Sequence, residues 1–225
     1  MVSASGLTSR DLMLALRGVT LPGRLSIPAG ASALVVFVHG SGSNRFSPRN
    51  RAFAEVLHQG GLATLLFDLL AADETAGASG SEPDLGTLSR RLLAVLAQLK
   101  GAGSVPDALG VDLATLPIGL FGSSSGAAVA LAAAAEQPEL VGAIVSRGGR
   151  PDLVLAALGG VRAPTLLLVG SQDVDVLELN CLAAAQLQCQ HELRVVPGAG
   201  HLFAETGAID RVARWSRRWF LDHLR

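Results

Sequence analysis

Short apolar runs alternate with amphipathic stretches along most of this chain. Residues 34–38 and 62–67 are apolar at nearly every position, and residues 165–169 repeat the pattern. Such runs suit strands buried on both faces of a sheet. Between the first two, Ser47-Pro48 pairs a good N-cap residue with proline at the first helical position. That predicts a helix over residues 48–59, stopped by Gly60-Gly61. Leu85, Leu88, Leu92, Leu96 and Leu99 recur at helical spacing and predict a second helix over residues 85–99. Strands follow at residues 117–121, 140–145 and 192–196. Helices follow at 125–137, 152–158, 176–188 and 208–224. At the N-terminal end, residues 12–16 and 24–27 read as two strands joined by a turn through Gly18 to Gly23. Residues 71–84, rich in Gly, Ser, Ala and acids, read as a mobile loop able to cover a site. Residues 101–116 form a second irregular connection with room for a short helical turn.

Repeated strand–helix units with apolar strands imply an α/β fold: a mostly parallel central sheet with helices on both faces. No internal repeat or linker interrupts the pattern, so residues 1–225 read as a single domain. The stretch between residues 145 and 165 leaves no room for a cap domain. Hydrophobic residues make up 49% and charged residues 16% of the chain, which excludes disorder and implies a large interior. A net charge of −1 gives no basic surface for nucleic acid. The longest apolar run is too short to span a bilayer, and the first ten residues lack a signal-peptide layout. A soluble cytoplasmic protein is the expectation. Cys181 and Cys189 fall on one predicted helix, about 12 Å apart along its axis, which excludes a disulfide between them.

The chemistry gathers at the ends of the predicted strands. Gly122-Ser123-Ser124-Ser125-Gly126 fits G-x-S-x-G and lies between a strand and a helix. A sharp turn there thrusts the central serine into a cleft, and its glycines allow strand and helix to come close. In five residues alone the pattern is weak, and a flexible serine–glycine loop would also produce it. Two other strand ends supply what a serine nucleophile needs. Asp173 follows residues 165–169, and His201 follows residues 192–196. A serine hydroxyl requires a base within hydrogen-bond reach, and the base requires an orienting group. Ser124 would attack a carbonyl, His201 would carry the proton, and Asp173 would fix the imidazole tautomer. Asp175 is the rival for the acid, and a helix N-cap is the purely structural alternative for Asp173. His58 and His223 lie on predicted helices and read as solvated; His191 precedes a strand. The developing oxyanion would take the backbone N–H of Ser125 and that of Ser41, with Gly42 as the alternative.

The order serine, aspartate, histidine, with His39-Gly40-Ser41-Gly42 after the first buried strand, resembles the α/β-hydrolase superfamily over nearly the whole chain. Within it, residues 40–50 and 146–152 are similar to small, capless dienelactone-hydrolase-like proteins. The chain departs from them at one point: dienelactone hydrolases proper use a cysteine nucleophile, and Ser124 stands here. The resemblance therefore implies a general serine esterase acting through an acyl-enzyme on small carboxylic esters, with lactones or thioesters as variants. No motif in the chain calls for a metal, nucleotide or flavin. An acyltransferase or perhydrolase would share the acyl-enzyme, and a ligand-binding protein could keep the fold without turnover. The His39 side chain reads as structural. Arg45, Arg147 and Arg150 flank the expected site, together with Arg49 and Arg51. Guanidinium groups bind carboxylates bidentately, so an anionic substrate is one expectation. Pairing with Asp68, Asp73 or Asp152 to brace the loops is the other.

Overall fold

A computed structural model describes residues 6–71, 74, 83–101 and 111–225. Its strands are β1 (Leu7–Leu16), β2 (Val19–Pro28), β3 (Ala33–Val38), β4 (Leu62–Phe67), β5 (Ile118–Ser123), β6 (Ala143–Arg147), β7 (Thr165–Gly170) and β8 (His191–Val196). Its helices are α1 (Pro48–His58), α2 (Leu85–Lys100), α3 (Ser125–Glu136), α4 (Val174–Ala184) and α5 (Ala208–His223). The eight strands form one sheet in the order β1-β2-β4-β3-β5-β6-β7-β8. β1, β2 and β4 pair antiparallel, and every contact from β4 through β3 to β8 is parallel.

The apolar strands are apolar because each feeds two cores. Along β3, Leu34, Val36 and Val38 enter one cluster, while Ala33, Val35 and Phe37 enter the other. The first cluster receives Leu92 and Leu96 of α2 and Val129 of α3. The second receives Phe53 and Leu57 of α1 and Val212, Trp219 and Phe220 of α5. The period-two alternation of a strand thus serves helices on both faces. The chain leaves β3 for β4 on one side and later returns to β5 on the other. The carboxyl ends of β3 and β5 therefore flank a topological switch point, where open α/β sheets form their ligand crevice.

Local differences from the sequence reading have physical causes. The N-terminal hairpin is longer, and its turn is confined to Arg17-Gly18, so residues 19–23 are strand rather than turn. Gly23 lies flat there because a side chain would meet Phe67, Leu12 and Leu65 within 3.3 Å. β6 starts and ends later than expected: Ser146 and Arg147, polar in sequence, pair with Gly122 and Ser123 of β5. Leu140, expected to open that strand, instead closes the 3-10 turn Pro138–Leu140. α4 ends at Ala184, so Cys189 lies beyond the helix that carries Cys181; both thiols are free. The β6–β7 connection is the 3-10 stretch Pro151–Gly160, ten residues, and no cap is inserted there. Of residues 101–116, the described part holds the 3-10 turn Leu113–Thr115. Most of the expected lid, residues 71–84, lies outside the described residues. Among the described residues, no helix is long and apolar enough to cross a membrane.

Candidate active site

Ser124 sits on the turn between β5 and α3 with φ 51° and ψ −128°, a conformation that L-residues adopt only under constraint. Close packing supplies that constraint. A side chain at Gly126 would stand 2.2 Å from the Val38 carbonyl oxygen and 2.4 Å from that of His39. One at Gly122 would meet the Ala127 Cα at 2.5 Å. The next loop grips the elbow through its own peptide. The Ser124 N–H donates to Arg147 O at 3.2 Å, and the Arg150 N–H donates to Ser124 O at 3.1 Å.

His201 reaches Asp173 through Nδ1, 2.7 Å from Oδ2. With Nδ1–H donating to the carboxylate, Nε2 is left to accept a proton. Asp173 occupies the N-cap position of α4 but makes no capping bond with its side chain; the carboxylate is turned to His201 instead. Asp175 is exposed in the first turn of α4. The acid and histidine loops are stitched together: Ser171 N–H donates to Val196 O, Gln172 N–H to Ala199 O, and Gly198 N–H to Ser171 Oγ. Ser124 and His201 line one cavity of about 280 Å³ with Gly40, Ser41, Gly42, Ser43, Ser123 and Leu202.

The His39–Gly42 corner is anchored by its histidine. His39 is buried, donates through Nδ1 to Gly40 O at 3.0 Å, and accepts the Leu69 N–H through Nε2 at 2.9 Å. Those two bonds fix its tautomer and tie the corner to the end of β4. The Ser125 N–H, at the start of α3, meets no acceptor among the described residues. The Ser41 N–H is directed at Ser125 Oγ, 3.0 Å away.

The arginines divide. Arg45 is drawn to Asp68, which accepts both its guanidinium and its backbone N–H. Arg150 forks onto Asp152 through two bonds of 2.8 Å. Neither lines the cavity, and each guanidinium is paired with a carboxylate. Arg147 does line it. Its side chain is 8% exposed, runs between the Phe53 and Phe203 rings, and donates to Ser123 Oγ at 3.4 Å. Among the described residues no carboxylate pairs with it. Burial first, and the neighbouring Arg49 charge second, lower its pKa to about 10. Arg49 lines the same cavity, with Ser47 and Asn50 beside it. Their signal was the helix start at Ser47-Pro48, which puts the first turn of α1 at the active end of the sheet. His58 and His223, expected to be solvated, are tied down: His58 bonds Thr64 Oγ1 at 2.8 Å, and His223 donates to Trp219 O at 2.9 Å.

The model of the dienelactone hydrolase family matches residues 21–220. The chain belongs to the dienelactone hydrolase family. A crystal structure of dienelactone hydrolase from Anabaena variabilis is 45% identical, covers 98% of this chain and 100% of its own, and superposes with a TM-score of 0.91. A putative phosphoribosyl transferase of Mycobacterium tuberculosis is 48% identical over 206 residues, 92% of this chain but 44% of its own length. The chain thus spans less than half of that relative, whose description belongs to the longer protein. A cold-adapted esterase from an Arctic intertidal metagenomic library, 18% identical, shares the fold with a TM-score of 0.76 over 99% of this chain and 97% of its own.

Proposed function

We propose that this chain is a serine hydrolase that cleaves small carboxylic esters through an acyl-enzyme on Ser124. The observation that carries the reading is the 2.7 Å bond from His201 to Asp173, with His201 and the strained Ser124 on one cavity wall. Ser124 Oγ attacks the ester carbonyl while His201 Nε2 takes its proton. The ester C–O bond then breaks, and the alcohol leaves with that proton. Water deprotonated by His201 attacks the acyl-enzyme and releases the acid. Asp173 stabilises the imidazolium in both halves. The Ser125 N–H and the Ser41 corner face the developing oxyanion. Arg147 favours substrates carrying an anionic group, because a buried guanidinium without a carboxylate partner gains most from a charged ligand.

A fluorophosphonate probe tests the reading. The wild-type protein is expected to be labelled, and Ser124→Ala to escape labelling and lose ester turnover. Asp173→Asn is expected to lower kcat by about 10⁴-fold, as a wrong imidazole tautomer does elsewhere, while Asp175→Asn leaves it within about three-fold. Wild-type protein that takes no label and turns over no ester rejects the proposal.

A further inference from the structure

The expected oxyanion donor at Ser41 is already engaged. Its N–H donates to the Ser125 hydroxyl at 3.0 Å, and the two serine hydroxyls lie 3.2 Å apart. Ser125, next to the nucleophile, thus carries two groups beside the elbow: a backbone N–H with no acceptor among the described residues, and a hydroxyl in front of the Ser41 N–H. A hydroxyl has one proton to donate. Within its reach lies Ser41 Oγ, farther than the ordinary O–H···O separation of about 2.7–2.8 Å. That proton can leave this long bond for an anionic oxygen when charge develops at the substrate carbonyl.

We propose that the Ser125 side chain is a catalytic residue, the second oxyanion donor, standing where the Ser41 N–H would otherwise act. Accepting the Ser41 N–H polarises the hydroxyl and strengthens its own donation. An anionic oxygen then draws a charge-assisted bond from it, a bond the neutral ester carbonyl draws only weakly. The interaction therefore grows between ground state and transition state, which raises kcat rather than lowering KM. Ser41 acts behind it as a positioning residue, held near the elbow because Gly40 lies against Ser124: a side chain at Gly40 would stand 3.0 Å from Ser124 Cβ and 3.5 Å from Ser125 Oγ.

This inference rests on the acyl-enzyme reading, and the experiment separates the two. Ser125→Ala is compared with wild type and with Ser125→Thr, which keeps a hydroxyl. Four quantities are read: kcat, KM, affinity for a trifluoromethyl ketone that forms an anionic tetrahedral adduct, and melting temperature. Ser125→Ala is expected to lose about 10²–10³-fold in kcat, as removal of one oxyanion donor does. KM stays within about two-fold, ketone affinity falls in parallel with kcat, and the melting temperature holds. Ser125→Thr recovers most of the loss. Unchanged or higher kcat in Ser125→Ala would overturn the proposal, because the hydroxyl would then be a bystander or a plug over the Ser41 N–H. A loss of kcat with intact ketone affinity would overturn it too. Full fluorophosphonate labelling of the wild type at Ser124 confines either result to Ser125; an unlabelled wild type rejects both readings together.

Discussion

Asn180 of α4 holds the carbonyl of Gly149. Its Nδ2 donates to Gly149 O at 2.9 Å and to Val176 O at 2.7 Å, and the side chain is wholly buried. Gly149 belongs to the segment that brackets the elbow, between the Arg147 carbonyl that accepts the Ser124 N–H and the Arg150 N–H that donates to Ser124 O. The helix that starts at Asp173 therefore also supports the loop that grips the nucleophile. Asn180→Ala would strand a buried carbonyl, at about 1–3 kcal/mol of stability. Urea unfolding should show that loss. Turnover should fall by about ten-fold with little change in KM, since the elbow keeps its groups but loses their alignment.

The two glycines on either side of the cleft answer to different causes. Gly126 has no room: a Cβ would stand 2.2 Å from a backbone oxygen. Gly42 has room, with nothing within 4 Å, but holds φ +70°. Gly126→Ala should therefore push the Val38–His39 peptide away from the elbow, destabilise by about 3 kcal/mol or more and abolish turnover. Gly42→Ala should lose only about 1–2 kcal/mol, the left-handed penalty. Melting temperatures of the pair check the contrast; equal losses would show that the close contact relaxes.

The fold was legible where one residue type serves one purpose. The apolar runs of β3, β4 and β7 announce strands buried twice, and Ser47-Pro48 announces the start of α1. The serine, acid and histidine were legible because strand ends and helix starts are marked locally. Partners far apart in sequence were not. Asp68 was one of three acids open to the loop arginines, with nothing to assign it to Arg45, and nothing at Arg147 announces that Phe53 and Phe203 enclose it. The end of β6 was missed because Ser146 and Arg147 are polar, and polarity ordinarily ends a buried strand. The engagement of the Ser41 N–H by Ser125 needed coordinates, since a backbone donor's direction leaves no trace in residue identity.

His58 makes stability depend on pH. Its Nε2 lies 2.8 Å from Thr64 Oγ1, joining the end of α1 to β4, while its Nδ1 is buried without a partner. Burial disfavours the imidazolium and holds the pKa below the ordinary 6.5. As pH falls through 6.5 toward the folded value, the unfolded chain takes a proton that the folded chain refuses. The stability contributed by neutral His58 is thus full above 6.5 and lost across that window. Melting temperature should decline from about pH 7.5 to about pH 5.5. In His58→Phe the decline should be shallower; an unchanged slope would assign it to other groups.

Arg147 sets stability against selectivity. The residue is 8% exposed, and its guanidinium feels the like charge of Arg49. Burial, then that like charge, lowers its pKa from the ordinary guanidinium range to about 10. By linkage the charged form is disfavoured by about 3 kcal/mol. The sign follows from a depressed base: the deficit is full below a pH of about 10 and is relieved as pH rises above it. Arg147→Met keeps an unbranched side chain between the Phe53 and Phe203 rings without the charge. It should raise stability by about 1–3 kcal/mol, as replacing buried charge often does. The same variant should lose the preference for acidic over neutral esters by about ten-fold or more, the worth of a charge-assisted bond. Arg45→Ala and Arg150→Ala should keep that preference, because Asp68 and Asp152 already occupy those guanidinium groups. Melting curves and an ester panel read both halves. Lower stability with an intact preference would make Arg147 a structural brace, leaving Arg49 as the charge that substrates meet.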